Sequence, residues 1–159
     1  MKGILSLGDA VGHYLFRHSA NLEAQYDFNN IISEVKIPVD YTAMPHAVFS
    51  SPQISGVGRT EQKLRREGVE YDLGRYDYID TAMGKALEDN TRFVKFLFER
   101  KTRRILGCHI MGYDAANLIH EAIVAMKAGG GAPTITRAVH IHPALSEVVQ
   151  RAAANIHAH

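Results

Sequence analysis

Two histidines and a glutamate near the C-terminus have the residue types and the spacing of an acid/base pair. They lie in the octapeptide HIHPALSE, which runs from His140 to Glu147. Because Pro143 disfavours regular helix at His142 and fits the entry to a helix, Glu147 is expected in the first helical turn. A carboxylate there is favoured by the helix dipole and can hold the His142 ring in one tautomer. The octapeptide therefore indicates an oriented general base.

Two other interpretations of the octapeptide stay open. In the first, which spacing alone favours, Glu147 only caps its helix and His142 is a surface or packing histidine. In the second, His140 and His142 bind a metal ion with the help of Glu147, His157 or His159. We expect no metal site, because no second cluster of ligands has a recognisable spacing.

A Gly-Asp pair, Gly8-Asp9, follows a short apolar run near the N-terminus. If that run is a strand, Asp9 lies at its end, where α/β sheets hold ligands, and its carboxylate can bind a ribose-like hydroxyl. An ordinary turn explains the pair equally well. Four histidines have no partner at an informative spacing and are interpreted as structural: His18, His46, His109 and His120.

Composition limits the classes of protein that fit. The 159 residues include 18 basic and 17 acidic side chains, a balance that predicts neither nucleic-acid nor anionic-membrane binding. No run of about 18 apolar residues is present, and Asp9 interrupts the apolar start, so we expect a protein that is neither membrane-spanning nor exported. Cys108 is the single cysteine, which leaves a cytoplasmic location as the expectation.

The order of predicted elements indicates one main domain with an appendage. Residues 4–9 are expected to form a strand and residues 15–32 a helix, and residues 33–41 a linker. The remainder, 42–159, predicts an α+β fold with an antiparallel sheet of about four to five strands and helices on one side. The expected strand segments are 46–58 (broken at Pro52), 69–79, 92–99 and 105–112.

Helix boundaries follow from capping residues. Thr60 and Gly68 are expected to cap a helix over 61–67, and Asp114 is expected to cap a helix that the glycines at 129–131 end. A short helix is expected around 134–139, and a last one from about Leu145 to His157.

Four ordered motifs resemble one enzyme family, the flavin-dependent pyridine nucleotide–disulfide oxidoreductases. HIHPALSE resembles the family signature H-x-H-P-T-x-S-E, and ILSLGDAVGHYLFRHSA resembles the segment that closes its FAD domain. FSSPQISGVGRTE and RILGCHIMGYDAANLIHEAIVAMKAG are similar to two further family stretches. The resemblance spans nearly the whole chain but only about the last third of such an enzyme. The family's G-x-G-x-x-G fingerprint and C-x-x-x-x-C redox pair are missing.

The resemblance implies roles for particular residues. It identifies 1–32 as the tail of an FAD-binding domain and 42–159 as the dimerisation domain. The residue matching His142 is the family's acid/base and that matching Glu147 orients it, while Asp9 matches the ligand of the FAD ribityl chain. The backbone of Leu15 and Phe16 matches the segment near the flavin ring.

The resemblance also implies cofactors and partners. FAD and NAD(P)H would serve the complete enzyme, and we expect neither to be bound by this chain alone, which we do not expect to be active by itself. A homodimer is expected, and if the chain is encoded as a separate piece, its further partner is a chain that carries the FAD and NAD domains. One departure is Ala144, where the family has Thr, which removes half of a capping box. The alternative function is a stand-alone homodimerisation module without catalytic activity.

Overall fold

The chain divides into two compact units. A computed structural model describes residues 3–158, and the units are Met1–Tyr41 and Thr42–His159. Across the described residues, no helix combines the length and apolar character needed to cross a bilayer.

The first unit consists of a 3₁₀ turn and one helix. The turn is Gly8–Val11 and the helix, α1, is Arg17–Ile32, which confirms the predicted helix. The strand predicted over residues 4–9 is wrong, since residues 4–7 are irregular and exposed. A strand needs a neighbour for its backbone hydrogen bonds, and the described part of this unit contains no second extended segment that pairs with it.

The second unit is built on one antiparallel sheet of six strands within the described residues, in the spatial order β1-β2-β5-β4-β3-β6. The α+β class with an antiparallel sheet is confirmed, and the sheet has one strand more than the four to five expected. The sixth strand comes from residues near the C-terminus that were predicted to be helical. The strands are β1 (Pro45–Val48), β2 (Gln53–Gly58), β3 (Tyr71–Asp77), β4 (Phe93–Glu99), β5 (Ile105–Gly112) and β6 (Ile156–Ala158).

Helices cover mainly one face of the sheet and enclose the core. Alternating apolar residues such as Phe96 and Cys108 point from the strands toward Ile119 and Val148 on the helices, and all four are buried. On the opposite face, Leu64 packs against the sheet. The prediction of helices on one side therefore applies to the layer α4–α6. The helices are α2 (Glu61–Glu67), α3 (Ala82–Ala86), α4 (Ala115–Lys127), α5 (Ala132–Thr136) and α6 (Ser146–Ala154).

Caps explain where several helices begin and end. The Thr60 hydroxyl accepts from the Lys63 N–H, and Gly68 takes the left-handed conformation at φ 66°, so the predicted caps of α2 are confirmed. Asp114 precedes α4 as predicted, but it adopts φ 53° and its side chain makes no capping hydrogen bond. The predicted capping role is wrong because a residue whose side chain caps a helix typically has extended backbone angles, and Asp114 does not.

Two helices near the C-terminus differ from the prediction. Helix α5 begins before the predicted stretch, since Pro133 fits the first turn of a helix. Helix α6 ends at Ala154, three residues before the predicted end, and residues 156–158 pair with β3 as β6. The Asn155 side chain donates to the backbone carbonyl of Arg75 at 2.8 Å, which fastens the turn between helix and strand.

Candidate active site

Helix α6 fixes the position of Glu147. One face of the helix is packed in the core, and Val148, Val149, Ala152 and Ala153 on that face are fully buried. This anchoring leaves Glu147 in the first turn, pointing back toward the residues that enter the helix. The entering segment contains a cis peptide bond between His142 and Pro143.

His142 and Glu147 contact each other directly. Nδ1 of His142 lies 2.9 Å from Oε1 of Glu147 and 3.1 Å from Oε2. Because an ionised carboxylate only accepts hydrogen bonds, Nδ1 is the nitrogen that carries the proton, and in the neutral ring Nε2 keeps its lone pair. The His142 side chain is 69% exposed, whereas that of Glu147 is 12% exposed. The arrangement leaves the basic Nε2 available for proton transfer, while the contact with Glu147 fixes Nδ1.

The Glu147 carboxylate is held in its ionised form. The hydrogen bond from His142 lowers its pKa, and a second bond, from the Ala144 N–H at 3.2 Å, acts in the same direction. That second bond is the glutamate half of a capping box, which persists although Ala144 lacks a hydroxyl. A carboxylate held negative beside an imidazole stabilises the imidazolium that forms when the ring takes up a proton.

The neighbouring histidine makes a separate pair that the sequence did not predict. Nε2 of His140 lies 2.8 Å from Oε1 of Glu121 on α4, and Nδ1 lies 3.1 Å from the carbonyl oxygen of Ala138. Only 8% of the His140 side chain is exposed. The pair ties the octapeptide to α4. Because 19 residues separate the partners, no local spacing could have revealed Glu121.

The structure does not bring together the residues of the metal interpretation. His140 and His142 contact different glutamates, and His157 lies in β6 opposite Leu73 of β3. Over residues 3–158, no group of three or more His, Cys, Asp or Glu side chains could hold a metal ion. His159 lies outside the described residues.

The residues that the resemblance assigns to a cofactor lie in the first unit. Asp9 is exposed in the 3₁₀ turn, Leu15 is 65% exposed, and the half-buried Phe16 stacks on the His18 ring at 5.2 Å between centroids. An exposed carboxylate can accept hydrogen bonds from the hydroxyls of a ribityl chain. The chain contains no G-x-G-x-x-G loop for the phosphates. These residues therefore fit one edge of an FAD site and not a complete one.

Large apolar side chains are exposed around the His142 segment. Val139 is 99% exposed, Ile141 is 77% exposed, and Val124 on α4 is 67% exposed. Val124 also lines an open, almost wholly apolar groove of about 430 Å³ that runs between α4 and Ala138. Exposed apolar side chains and an open apolar groove of this kind are typical of a protein–protein interface.

Comparisons with known proteins agree on one family. A family model described as "Pyridine nucleotide-disulphide oxidoreductase, dimerisation domain" matches residues 44–153. Mycothione reductase of Mycobacterium tuberculosis is 41% identical over 95% of this chain and 34% of its own length. The mitochondrial dihydrolipoyl dehydrogenase of Dictyostelium discoideum is 36% identical over 96% of this chain and 31% of its own.

The fold has close counterparts among solved structures. The crystal structure of LpdA from Mycobacterium tuberculosis superposes with a TM-score of 0.88 at 22% identity, over 96% of this chain and 33% of that one. The chain thus spans about a third of the length of the relatives that it matches.

Proposed function

Since the chain belongs to the family of the pyridine nucleotide-disulphide oxidoreductase dimerisation domain, we propose that it is the C-terminal part of a flavin-dependent disulfide oxidoreductase. In this proposal it supplies an acid/base pair, His142 and Glu147, together with a homodimer interface. The observation that carries the proposal is the contact between an exposed imidazole and a mostly buried carboxylate.

The chemistry proposed for the pair is proton transfer to and from thiols. When a substrate thiol attacks a disulfide, Nε2 of His142 takes the thiol proton, and it returns a proton to the thiolate that leaves. Glu147 keeps Nδ1 protonated and stabilises the imidazolium between the two transfers. FAD, held in the complete enzyme and contacted at one edge by Asp9, Leu15 and Phe16, would carry electrons between NAD(P)H and the disulfide.

The proposed homodimer is supported by the exposed apolar residues. A two-fold related copy would cover Val124, Val139 and Ile141, whose exposure to water is otherwise unfavourable. Because Ile141 precedes His142 in the chain, covering it would bring the exposed imidazole to the partner subunit. The cytoplasmic location expected from the single cysteine stays a prediction.

A second candidate function is a homodimerisation module without catalytic activity. It would use only the exposed apolar residues Val124, Val139 and Ile141. Under the main proposal, the G-x-G-x-x-G and C-x-x-x-x-C motifs belong to another part of the same protein or to a separate chain.

A chimaera separates the two candidates. The matching C-terminal third of the M. tuberculosis mycothione reductase would be replaced by this chain, and disulfide reduction and mass by light scattering would be measured. The proposal predicts an active dimer. A dimer that binds flavin but has no activity would favour the module, and a strict monomer at tens of micromolar would contradict both.

A further inference from the structure

Two histidines far from the octapeptide meet on the outer face of the sheet. Gly56 of β2 lies directly opposite His46 of β1 and directly opposite His109 of β5. Directly opposite residues in a sheet share a face. The neighbours of Gly56, Ser55 and Val57, are buried toward the helical layer, so Gly56 and the two histidines face the other way.

The two imidazole rings occupy the space above Gly56. A Cβ atom placed on Gly56 would lie 2.9 Å from Nε2 of His46 and 2.9 Å from Nδ1 of His109. Both nitrogens therefore lie within 2.9 Å of the same point. A metal ion binds imidazole nitrogen at about 2.0–2.1 Å, so rotation of the exposed His46 side chain would bring its Nε2 and the Nδ1 of His109 into one coordination sphere. Only glycine leaves this room between the rings.

The protonation state of His109 suits a metal ligand. Its Nε2 lies 3.1 Å from the carbonyl oxygen of Arg59, which can only accept, so Nε2 carries the proton and Nδ1 keeps the lone pair. A neutral imidazole whose other N–H binds a backbone carbonyl is the usual form of a metal-binding histidine.

We propose that His46 and His109, whose ring nitrogens converge over Gly56, form a two-histidine site for a divalent transition-metal ion, with water filling the remaining positions. Imidazole suits Zn²⁺, Ni²⁺ and Cu²⁺, and the general order of affinity places Cu²⁺ first. The proposal gives a ligand role to two histidines that the sequence analysis interpreted as structural, and it is independent of the proposed disulfide chemistry.

The charged groups around the site decide between a metal ion and an anion. Lys95 lies opposite His109 on β4, and Arg75 lies opposite Lys95 on β3. The Lys95 ammonium contacts the Glu61 carboxylate, which offsets its repulsion of a bound cation. An anion would need protonated rings, whereas the Arg59 carbonyl holds the proton of His109 on Nε2 and leaves the lone pair of Nδ1 for a cation.

The test is a titration of the purified chain with Cu²⁺ at neutral pH, read by electron paramagnetic resonance for equatorial nitrogen ligands. Zn²⁺ would be followed by NMR of the imidazole nitrogens. We expect one site with two nitrogen ligands and, with Zn²⁺, a shift at Nδ1 of His109 while its Nε2 stays protonated. His46→Ala and His109→Ala should each weaken metal binding by at least about tenfold. Loss of a residue that only hydrogen-bonds a metal ligand already costs about that much, and here the ligand itself is lost.

Control variants keep the test decisive. His120→Ala removes an exposed histidine of α4 on the opposite face of the sheet and should leave the affinity unchanged. His46 is exposed, so His46→Ala should fold, and circular dichroism would verify this for each variant. Unchanged metal affinity in folded His46→Ala would overturn the proposal, as would an equal loss in His120→Ala. Saturable binding of inorganic phosphate that Cu²⁺ does not displace would show an anion site in place of the proposed metal site.

Discussion

The octapeptide contains two histidine–glutamate pairs that differ in burial. His140 is 8% exposed and Glu121, its partner, is 30% exposed, whereas His142 is 69% exposed and its partner Glu147 is 12% exposed. In the first pair the ring is enclosed and the carboxylate reaches water; in the second the carboxylate is enclosed and the ring reaches water. The same combination of residues can therefore serve structure or chemistry, depending on which member is accessible.

The two pairs also differ in what they connect. His140 joins the octapeptide to α4 across 19 residues of sequence, while His142 joins it to the first turn of α6, five residues away. Loss of the first pair should therefore loosen the segment that positions the second. Loss of the second should leave the segment in place and remove only its chemistry.

The largest expected effect separates the pairs by activity. In the chimaeric enzyme, His142→Gln should lower the rate of thiol–disulfide turnover by about 10²–10⁴-fold, because a positioned general base contributes that much. His140→Gln, the matched control two residues away, should act only indirectly and cost far less. Steady-state kinetics with a disulfide substrate would measure both. Equal losses in the two variants would break the distinction between a chemical and a structural pair.

Stability should show the reverse order. His140→Ala should lower the free energy of unfolding of the chain by about 1–3 kcal/mol, because a buried hydrogen-bonding ring is lost. His142→Ala should change it by no more than about 0.5 kcal/mol, as for other exposed side chains. Denaturant unfolding followed by circular dichroism would measure both values. A larger loss for His142→Ala would mean that the exposed ring has a packing role.

Ala144→Thr should raise the free energy of unfolding by about 0.5–2 kcal/mol. A hydroxyl at this position can accept a hydrogen bond from a backbone N–H at the start of α6 and complete the capping box. The geometry of His142 and Glu147 should be unchanged, because the carboxylate already accepts from the Ala144 N–H. Thermal unfolding would measure the gain. No gain, or a shift in the His142 resonances, would show that the segment does not accept the capping geometry.

The smallest expected effect is a dependence on pH of the stability that Glu147 contributes. The folded pKa of Glu147 lies below its unfolded value, so its contribution to stability is present above the unfolded pKa and is lost as pH falls through the folded pKa. The contribution should be at most about 1 kcal/mol, as for other partly exposed pairs. Glu147→Gln should therefore be less stable than the unaltered chain near pH 7 and approach it in acid. A difference that stays constant with pH would argue against an ionised pair.

Local patterns predicted the parts of the fold that depend on neighbouring residues. Alternating apolar residues predicted β4 and β5, and Thr60 predicted the start of α2. The strand β6 could not be predicted, because three residues form it only by pairing with β3. The strand predicted over residues 4–9 fails for the opposite reason, since no other extended segment among the described residues pairs with this apolar run.

The candidate site was predictable only in part for the same reason. Five residues separate His142 from Glu147, so helix geometry indicates their contact. Glu121 lies on another helix, and the convergence of His46 with His109 requires the register of three strands. Contacts of this kind depend on how distant strands pair in the sheet, so they cannot be predicted from the spacing of residues along the chain.

The Glu147 carboxylate is shared between a ring and a backbone. Its Oε2 atom accepts from both Nδ1 of His142 and the N–H of Ala144. A change in the charge or orientation of the ring must therefore alter the hydrogen bond of that amide. The Ala144 amide is a reporter built into the main chain: its chemical shift and its rate of deuterium exchange should follow the state of His142 without any label on the histidine. A single backbone resonance could then register whether a substrate or a partner subunit has reached the imidazole.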